Sequence, residues 1–338
     1  MRLLTEEQKH WVEVIGDFCK KEIEPIMLDW DKVVDPSKAI PFEPYAKAFK
    51  LGLNSFEIPK EYGGNKVDLA TAEVMYEEMG YYDGNFASVM QTTNLALKPI
   101  LIGGTPEQVQ YFSKHILEGK GYAAFALTEP QSGSDASNVK TTAVKDGDEW
   151  VINGVKHFIT GGAHCDFLCC FAITNKEDPR HGMTCFVVEQ GTPGMKIASE
   201  DNKMGIRGAR TAEIVFEDCR VPAANMVGQL NGGYRLALDV VDRGRIGIAA
   251  MAVGIGQAAL DLAIKYAKER EVFKRPIAKF QGIQWMLADA ATQLEAARML
   301  TYYAADLKEQ GVPFTKQAAM AKLFAAEASH KVVDTALQ

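Results

Sequence analysis

The chain has 338 residues, of which 47% are hydrophobic and 24% charged, with a formal net charge of −7. That length and apolar content support a large core in two or three domains and exclude a disordered or fibrous protein. Acidic and basic residues are interspersed, leaving no basic patch for nucleic acid or an anionic membrane. There is no run of about eighteen apolar residues and no targeting pattern at the N-terminus, so a soluble, cytoplasmic protein is expected.

The stretch before Tyr122 reads as helical. Thr5-x-x-Gln8 has the form of a capping box ahead of an apolar stripe at Trp11, Ile15 and Phe18, which predicts a first helix ending near Pro25. The same period recurs from Thr71 to Met79 and from Pro106 to Leu117, where Thr105 before Pro106 is a good helix start. From about Tyr122 the period becomes two. Strand-like runs cover 124–127, 140–145, 149–152, 156–160, 167–174, 183–188 and 212–216. Asp146-Gly147, Asn153-Gly154, Gly161-Gly162 and Pro193-Gly194 read as the turns between them, and short turns without helices imply an antiparallel sheet or barrel.

After Asn231-Gly-Gly233 the helical period returns, with Ile246, Ala250, Val253, Gln257, Leu260, Ile264 and Ala267 forming one seam. Two further Ala/Leu-rich helices are predicted over Gln281–Glu309 and Phe314–Gln338. The last has neither a capping Gly nor a following Pro, so the native chain is expected to continue past Gln338. The pattern is α+β: an N-terminal helical domain over 1–121, a central β-domain over 122–230 and a C-terminal helical domain over 231–338.

Six cysteines form no CxxC pair and read as reduced core thiols. Cys169 and Cys170 are adjacent in one predicted strand, so their side chains point to opposite faces and cannot converge on a metal. No dinucleotide Gly-x-Gly-x-x-Gly, Walker loop, His-Glu-x-x-His or Gly-x-Ser-x-Gly is present; Gly254-Ile-Gly256 lies inside a helix, where close packing explains it better.

Three clusters carry possible chemistry. Phe125-Ala-Leu-Thr-Glu-Pro-Gln-Ser-Gly-Ser-Asp135 is a strand entering a polar turn whose backbone N–H groups and hydroxyls suit anionic or carbonyl oxygens, or is an ordinary strand-to-loop transition. Lys156-His-Phe-Ile-Thr-Gly161 puts Phe158 and Thr160 on one strand face, able to back a flat ring or simply to cover a core. Lys268-Glu-Arg-Glu-Val-Phe-Lys-Arg-Pro276 is a cationic helix end, which the helix dipole alone would favour.

In order along the chain, these clusters resemble the acyl-CoA dehydrogenase family. Ile58-Pro-Lys-Glu-Tyr-Gly-Gly64, Gly104-Thr-Pro-Glu-Gln108, Val215-Phe-Glu-Asp-Cys-Arg-Val-Pro222 and Phe280-Gln281 extend the likeness over essentially the whole sequence. The resemblance implies a helical domain, a central antiparallel β-barrel and a C-terminal helical bundle. It implies bound FAD, with Phe125, Leu127 and Thr128 against the flavin, Gly133 and Ser134 completing that edge, and Phe158, Ile159 and Thr160 on the opposite side. Ser134 also resembles the residue near the CoA thioester arm, and Asp242, Gly244 and Arg245 match the segment beside the substrate. Arg270, Phe273 and Gln281 resemble residues that reach FAD from a neighbouring subunit, implying a homotetramer. Gln338 resembles the first residue of an adenine-binding loop. Val272 and Lys274 depart from the residues usual at those positions.

The implied reaction is α,β-desaturation of an acyl-CoA, with electrons passed to an electron-transfer flavoprotein. Its base in most relatives is a Glu in a Tyr-Glu-Gly-Thr segment; this sequence has none, and Gly244 stands where some relatives carry the Glu instead. The catalytic base is therefore unassigned. The alternatives are an enoyl-CoA reductase, oxidase or monooxygenase of the same fold, or an inert acyl-CoA- or flavin-binding subunit.

Overall fold

The computed structural model describes residues 4–29, 42–118, 121–178 and 181–338. Its helices are α1 (Glu6–Phe18), α2 (Phe42–Lys50), α3 (Leu69–Tyr82), α4 (Gly84–Gly103), α5 (Pro106–Glu118), α6 (Gly233–Glu269), α7 (Gln281–Glu309) and α8 (Thr315–Leu337). The strands are β1 (Ala123–Ala126), β2 (Thr142–Asp146), β3 (Glu149–Thr160), β4 (Phe167–Ile173), β5 (Met183–Glu189), β6 (Met195–Glu200), β7 (Thr211–Pro222), β8 (Met226–Val227), β9 (Glu271–Val272) and β10 (Arg275–Pro276). The order is the expected one, helices then sheet then helices. By contact the chain forms two compact units, one drawn from Met1–Met27, Val67–Ala87 and Asp242–Gln338, the other from Leu28–Lys66 and Ser88–Val241.

In the first unit the capping box of α1 forms as its residues require. The Gln8 N–H donates to Thr5 Oγ1 at 3.2 Å and the Thr5 N–H donates to Gln8 Oε1 at 3.1 Å. The helix then continues through one π turn, Cys19–Ile23. Ile246, Ala249 and Val253 of α6 pack with Ala297 and Ala304 of α7 and with Ala318, Ala321 and Ala325 of α8. These small residues let the helices approach closely. A Cβ on Gly254 would lie 2.0 Å from the Glu77 carbonyl oxygen of α3, so only glycine permits that crossing. The α6 helix holds an 18-residue window of mean hydropathy 1.7, and 44% of that window is buried, as befits the central helix of a bundle.

The second unit holds the main sheet, in the order β6-β7-β3-β2-β4-β5-β8, with β1 also against β4. Two features differ from the sequence expectation. Among the described residues the sheet does not close into a barrel: β6 pairs only with β7, and β8 is two residues long and pairs only with β5. Nor is it wholly antiparallel. β1 runs parallel to β4 from Ala123↔Phe167 to Ala126↔Cys170, and β2 joins the same edge at Thr142↔Ile173. β1 and β2 are thus two stretches along one edge of β4, and the chain between them leaves the sheet and returns. Alternation reports which face a residue occupies and not which strand lies beside it, so the arrangement was not readable from the pattern.

The expected turn at Asn153-Gly154 is instead an irregularity inside one continuous β3, where the register against β7 shifts between Ile152 and Gly154. Gly154 has φ +152°, and a Cβ there would lie 2.4 Å from Thr141 Oγ1. Asn153 and Asp218 bond across the irregularity, with the Asp218 N–H donating to Asn153 Oδ1 at 2.8 Å. The core below joins Phe167, Cys169, Phe171 and Ile173 of β4 to Leu97 and Ile100 of α4 and to Phe112 and Ile116 of α5. All six cysteines are buried and unbridged.

Candidate functional site

The excursion between β1 and β2 carries the first cluster. Phe125 is half-buried, its ring 5.0 Å from that of Phe171, and Leu127 is buried. Glu129 organises the turn after them. Its carboxylate accepts the Lys140 N–H at 2.6 Å, the Thr141 N–H at 3.0 Å and the Gln131 side-chain amide at 2.6 Å. Glu129 and Ser132 also exchange backbone hydrogen bonds at 3.0 Å in both directions, and Ser132 Oγ donates to the Asp135 carbonyl at 2.6 Å. This tight turn leaves Gly133 and Ser134 exposed at its tip.

Lys156 of β3 completes the turn from below. Its ammonium donates to Glu129 Oε1 at 2.8 Å and to the Leu127 carbonyl at 3.1 Å. Burial opposes ionisation of Glu129, but the adjacent Lys156 charge and the hydrogen bonds from Lys156, Thr141 and Lys140 outweigh it and lower the carboxyl to about 2. Sequence reasoning missed this pair, although both residues lie within its motifs. The available signal was phase: Lys156 falls in the inward register of Trp150 and Ile152, where a charge needs a buried partner.

Beyond Lys156 the strand bulges, since Lys156 faces Ile214 while Ile159 faces Ala212. Phe158 sits on the bulge at φ +57°, a left-handed conformation costly for an aromatic residue, and is 60% exposed. Its ring stacks on His157 at 4.1 Å between centroids and an interplanar angle of 17°. The His157 ring lies between Asp201 at 3.2 Å and Glu213 at 3.4 Å, and its backbone N–H donates to the Thr128 carbonyl at 2.9 Å. The two clusters predicted separately are therefore pinned together. Ile159 is buried and Thr160 half-buried, and nothing lies within 4 Å of a Cβ built on Gly133 or Gly161. A projecting aromatic ring, three hydroxyls at Thr128, Ser134 and Thr160, and open space at two glycines suit a flat ring with hydrogen-bonding edges.

The remaining predicted residues belong to the first unit. Asp242 accepts from Arg245 and, at 2.7 Å, from Thr315 Oγ1, while Gly244 is half-buried on the same helix. Arg270 follows α6 and leads into the β9–β10 hairpin, whose turn residues Phe273 and Lys274 have φ +50° and +61°. Phe273 is 88% exposed at this tip, and Arg275 lies over the Phe280 ring at 4.1 Å. Gln281 opens α7 and Gln338 follows α8, both exposed.

The sequence matches the N-terminal, middle and C-terminal domains of acyl-CoA dehydrogenase over residues 5–120, 124–219 and 231–338. The chain belongs to the acyl-CoA dehydrogenase family. It is an enzyme of the oxidoreductase class that acts on CH–CH bonds. As a member of that family it is 42% identical to the acryloyl-CoA reductase (NADH) of Anaerotignum propionicum, over 99% of this chain and 84% of the relative. It is 39% identical to a subunit of the caffeyl-CoA reductase–Etf complex of Acetobacterium woodii, over 99% of this chain and 88% of the relative. Its fold matches butyryl-CoA dehydrogenase from Megasphaera elsdenii with a TM-score of 0.94 and 38% identity, over 100% of this chain and 88% of that one.

Proposed function

We propose that this acyl-CoA dehydrogenase binds FAD along the face formed by Thr128, Phe158 and Thr160 and desaturates a short acyl-CoA between its α and β carbons. The observation that carries this is Phe158, an aromatic residue held 60% exposed in a strained left-handed conformation beside the His157 ring on which it stacks. FAD bound there would supply the hydride acceptor. The chain's own residues supply position: Phe125 and Leu127 back one edge, Gly133 leaves room, and the Thr128, Ser134 and Thr160 hydroxyls donate to ring or thioester oxygens. Asp242, Gly244 and Arg245 orient the acyl-CoA. Because Asp242 is already engaged by Arg245 and Thr315, we assign it to orientation and not to proton removal.

Arg270, Phe273, Gln281 and Gln338 are assigned to FAD contacts in a homotetramer, a role favoured by the exposed Phe273 on its cationic hairpin. Electrons pass to an electron-transfer flavoprotein, as the Etf complex of the caffeyl-CoA relative supports. We take the segments 1–121, 122–230 and 231–338 as the functional domains and the cytoplasm as the location. Purified protein should retain or take up FAD, and its visible absorbance should bleach on anaerobic mixing with butyryl-CoA. A colourless protein that does not take up FAD sinks the proposal.

A second reading, reduction of an enoyl-CoA, is favoured by the two relatives named as reductases. Faster turnover of acryloyl-CoA with a reduced electron carrier than of propionyl-CoA with an oxidised one selects it.

A further inference from the structure

Strand β3 carries one residue more than its partner matches. Lys156 lies opposite Ile214 and Ile159 opposite Ala212, so His157 and Phe158 together face the single residue Glu213 of β7. Neighbouring side chains on a regular strand point to opposite faces; this bulge lets the two rings stack instead, with 4.1 Å between centroids and 17° between planes. The His157 ring is fixed from two further sides. Its Nε2 lies 3.2 Å from Asp201 Oδ1 and its Nδ1 3.4 Å from Glu213 Oε2, so a flip of the ring would leave both carboxylates facing carbon. Asp201 is itself anchored, because its other carboxylate oxygen accepts the Thr211 hydroxyl at 2.7 Å and its backbone N–H donates to the Thr211 carbonyl at 2.9 Å. The His157 backbone N–H donates to the Thr128 carbonyl at 2.9 Å. His157, Asp201 and Glu213 are half-buried, while Phe158 beside them is exposed.

We propose that His157 is a positioning residue for FAD: Asp201 and Glu213 hold the imidazole, and the imidazole holds the Phe158 ring so that its other face is free to meet the flavin. The role rests on the flavin contact proposed above for Phe158. An exposed aromatic side chain that stacked on nothing would sample several rotamers, and FAD binding would have to order it. A braced ring is ordered beforehand, which leaves more of the contact to appear as affinity. The two carboxylates thus act on FAD only through His157.

The test titrates flavin-stripped protein with FAD, reading the dissociation constant by quenching of flavin fluorescence and the environment of the bound ring by visible circular dichroism. His157→Gln removes the flat ring; His157→Phe keeps a flat ring and removes both nitrogens. Asp201→Ala and Glu213→Ala are combined in one protein and made again together with His157→Phe. His157→Gln should weaken FAD about fivefold or more, the scale of one aromatic contact, and change the flavin dichroism. His157→Phe should recover most of that affinity. The paired alanines should weaken FAD about three- to fivefold with His157 present, the scale of two half-exposed ion pairs, and should add no loss to His157→Phe, because the link through which they act is gone. An equal loss in both backgrounds gives the carboxylates a merely structural role and overturns the clamp, as does no loss in either. His157→Phe binding no better than His157→Gln overturns the stacking link. If His157→Gln does not fold, the paired alanines in the two backgrounds still decide. A wild type that takes up no FAD removes the flavin face and this role with it, whereas FAD uptake that no variant moves removes His157 alone.

Discussion

The Glu129 carboxylate lies 2.8 Å from the Lys156 ammonium, and the two side chains are only 2% and 0% exposed. A pair this deeply desolvated holds the loop only while both members are present, because either alone is an uncompensated buried charge. Glu129→Gln and Lys156→Met should each cost about 3–5 kcal/mol in urea unfolding. The double variant should recover part of that loss. Single variants costing less than about 1 kcal/mol would show the pair to be incidental.

The same pair sets an acid limit. The Glu129 carboxyl is lowered from 4.5 to about 2, so the unfolded chain binds the proton more readily than the native one. Its contribution is present above the ordinary carboxylate value and is lost as pH falls from 4.5 toward 2, a loss of about 3 kcal/mol. The difference in unfolding free energy between wild type and Glu129→Gln should therefore shrink across that window. A difference independent of pH would refute the assignment.

Helix approach in the first unit makes a third prediction. Alanine at Gly254 would drive its Cβ into the Glu77 carbonyl oxygen at 2.0 Å, a backbone atom that cannot step aside. At Gly256 the nearest atom is Leu294 Cδ2 at 2.6 Å, the end of a flexible side chain. Gly254→Ala should lose at least about 2–3 kcal/mol and Gly256→Ala clearly less. Calorimetric Tm values for the two variants, ranked the other way, would contradict the close crossing.

Much of this was legible because it is local. The Thr5–Gln8 box spans four residues, and the buried Ile246, Val253 and Leu260 of α6 lie where a 3.6-residue period puts them. What the sequence concealed is long-range or conformational. Glu129 and Lys156 are 27 residues apart, and β1 and β2 share one edge of β4 for reasons of topology that alternation does not encode. Asn153-Gly154 fits a hairpin turn and a strand irregularity equally well by composition, and the close approach of Thr141 decides between them. The left-handed backbone of Phe158 had no signal, since aromatic residues are poor at such positions and none would be placed there by propensity.

Glu78 carries a cost that a mutation can remove. Burial, then the neighbouring Glu77 charge, raises its carboxyl from 4.5 to about 7 against the opposing pull of Lys20. Here the native state holds the proton more tightly than the unfolded chain, so stability falls as pH rises from 4.5 to 7. Glu78→Gln should stabilise the protein by about 1–2 kcal/mol at pH 8 and by little near pH 4.5. A gain of equal size at both pH values would sink the argument.

Phe158 couples stability to the proposed flavin site. Its φ of +57° costs about 1 kcal/mol or more for a bulky residue, and its ring recovers little by packing because it is 60% exposed. Asparagine tolerates that conformation, so Phe158→Asn should raise the Tm of the flavin-free protein by relieving strain. The same change removes the aromatic surface against the bound ring, and FAD affinity should fall by about tenfold, the scale of one aromatic contact. The two effects must move in opposite directions, since the strain is retained for the ligand and not for the fold. A variant that gains stability with FAD affinity intact would place the flavin elsewhere; one that loses both would show that the bulge depends on the Phe158–His157 stack.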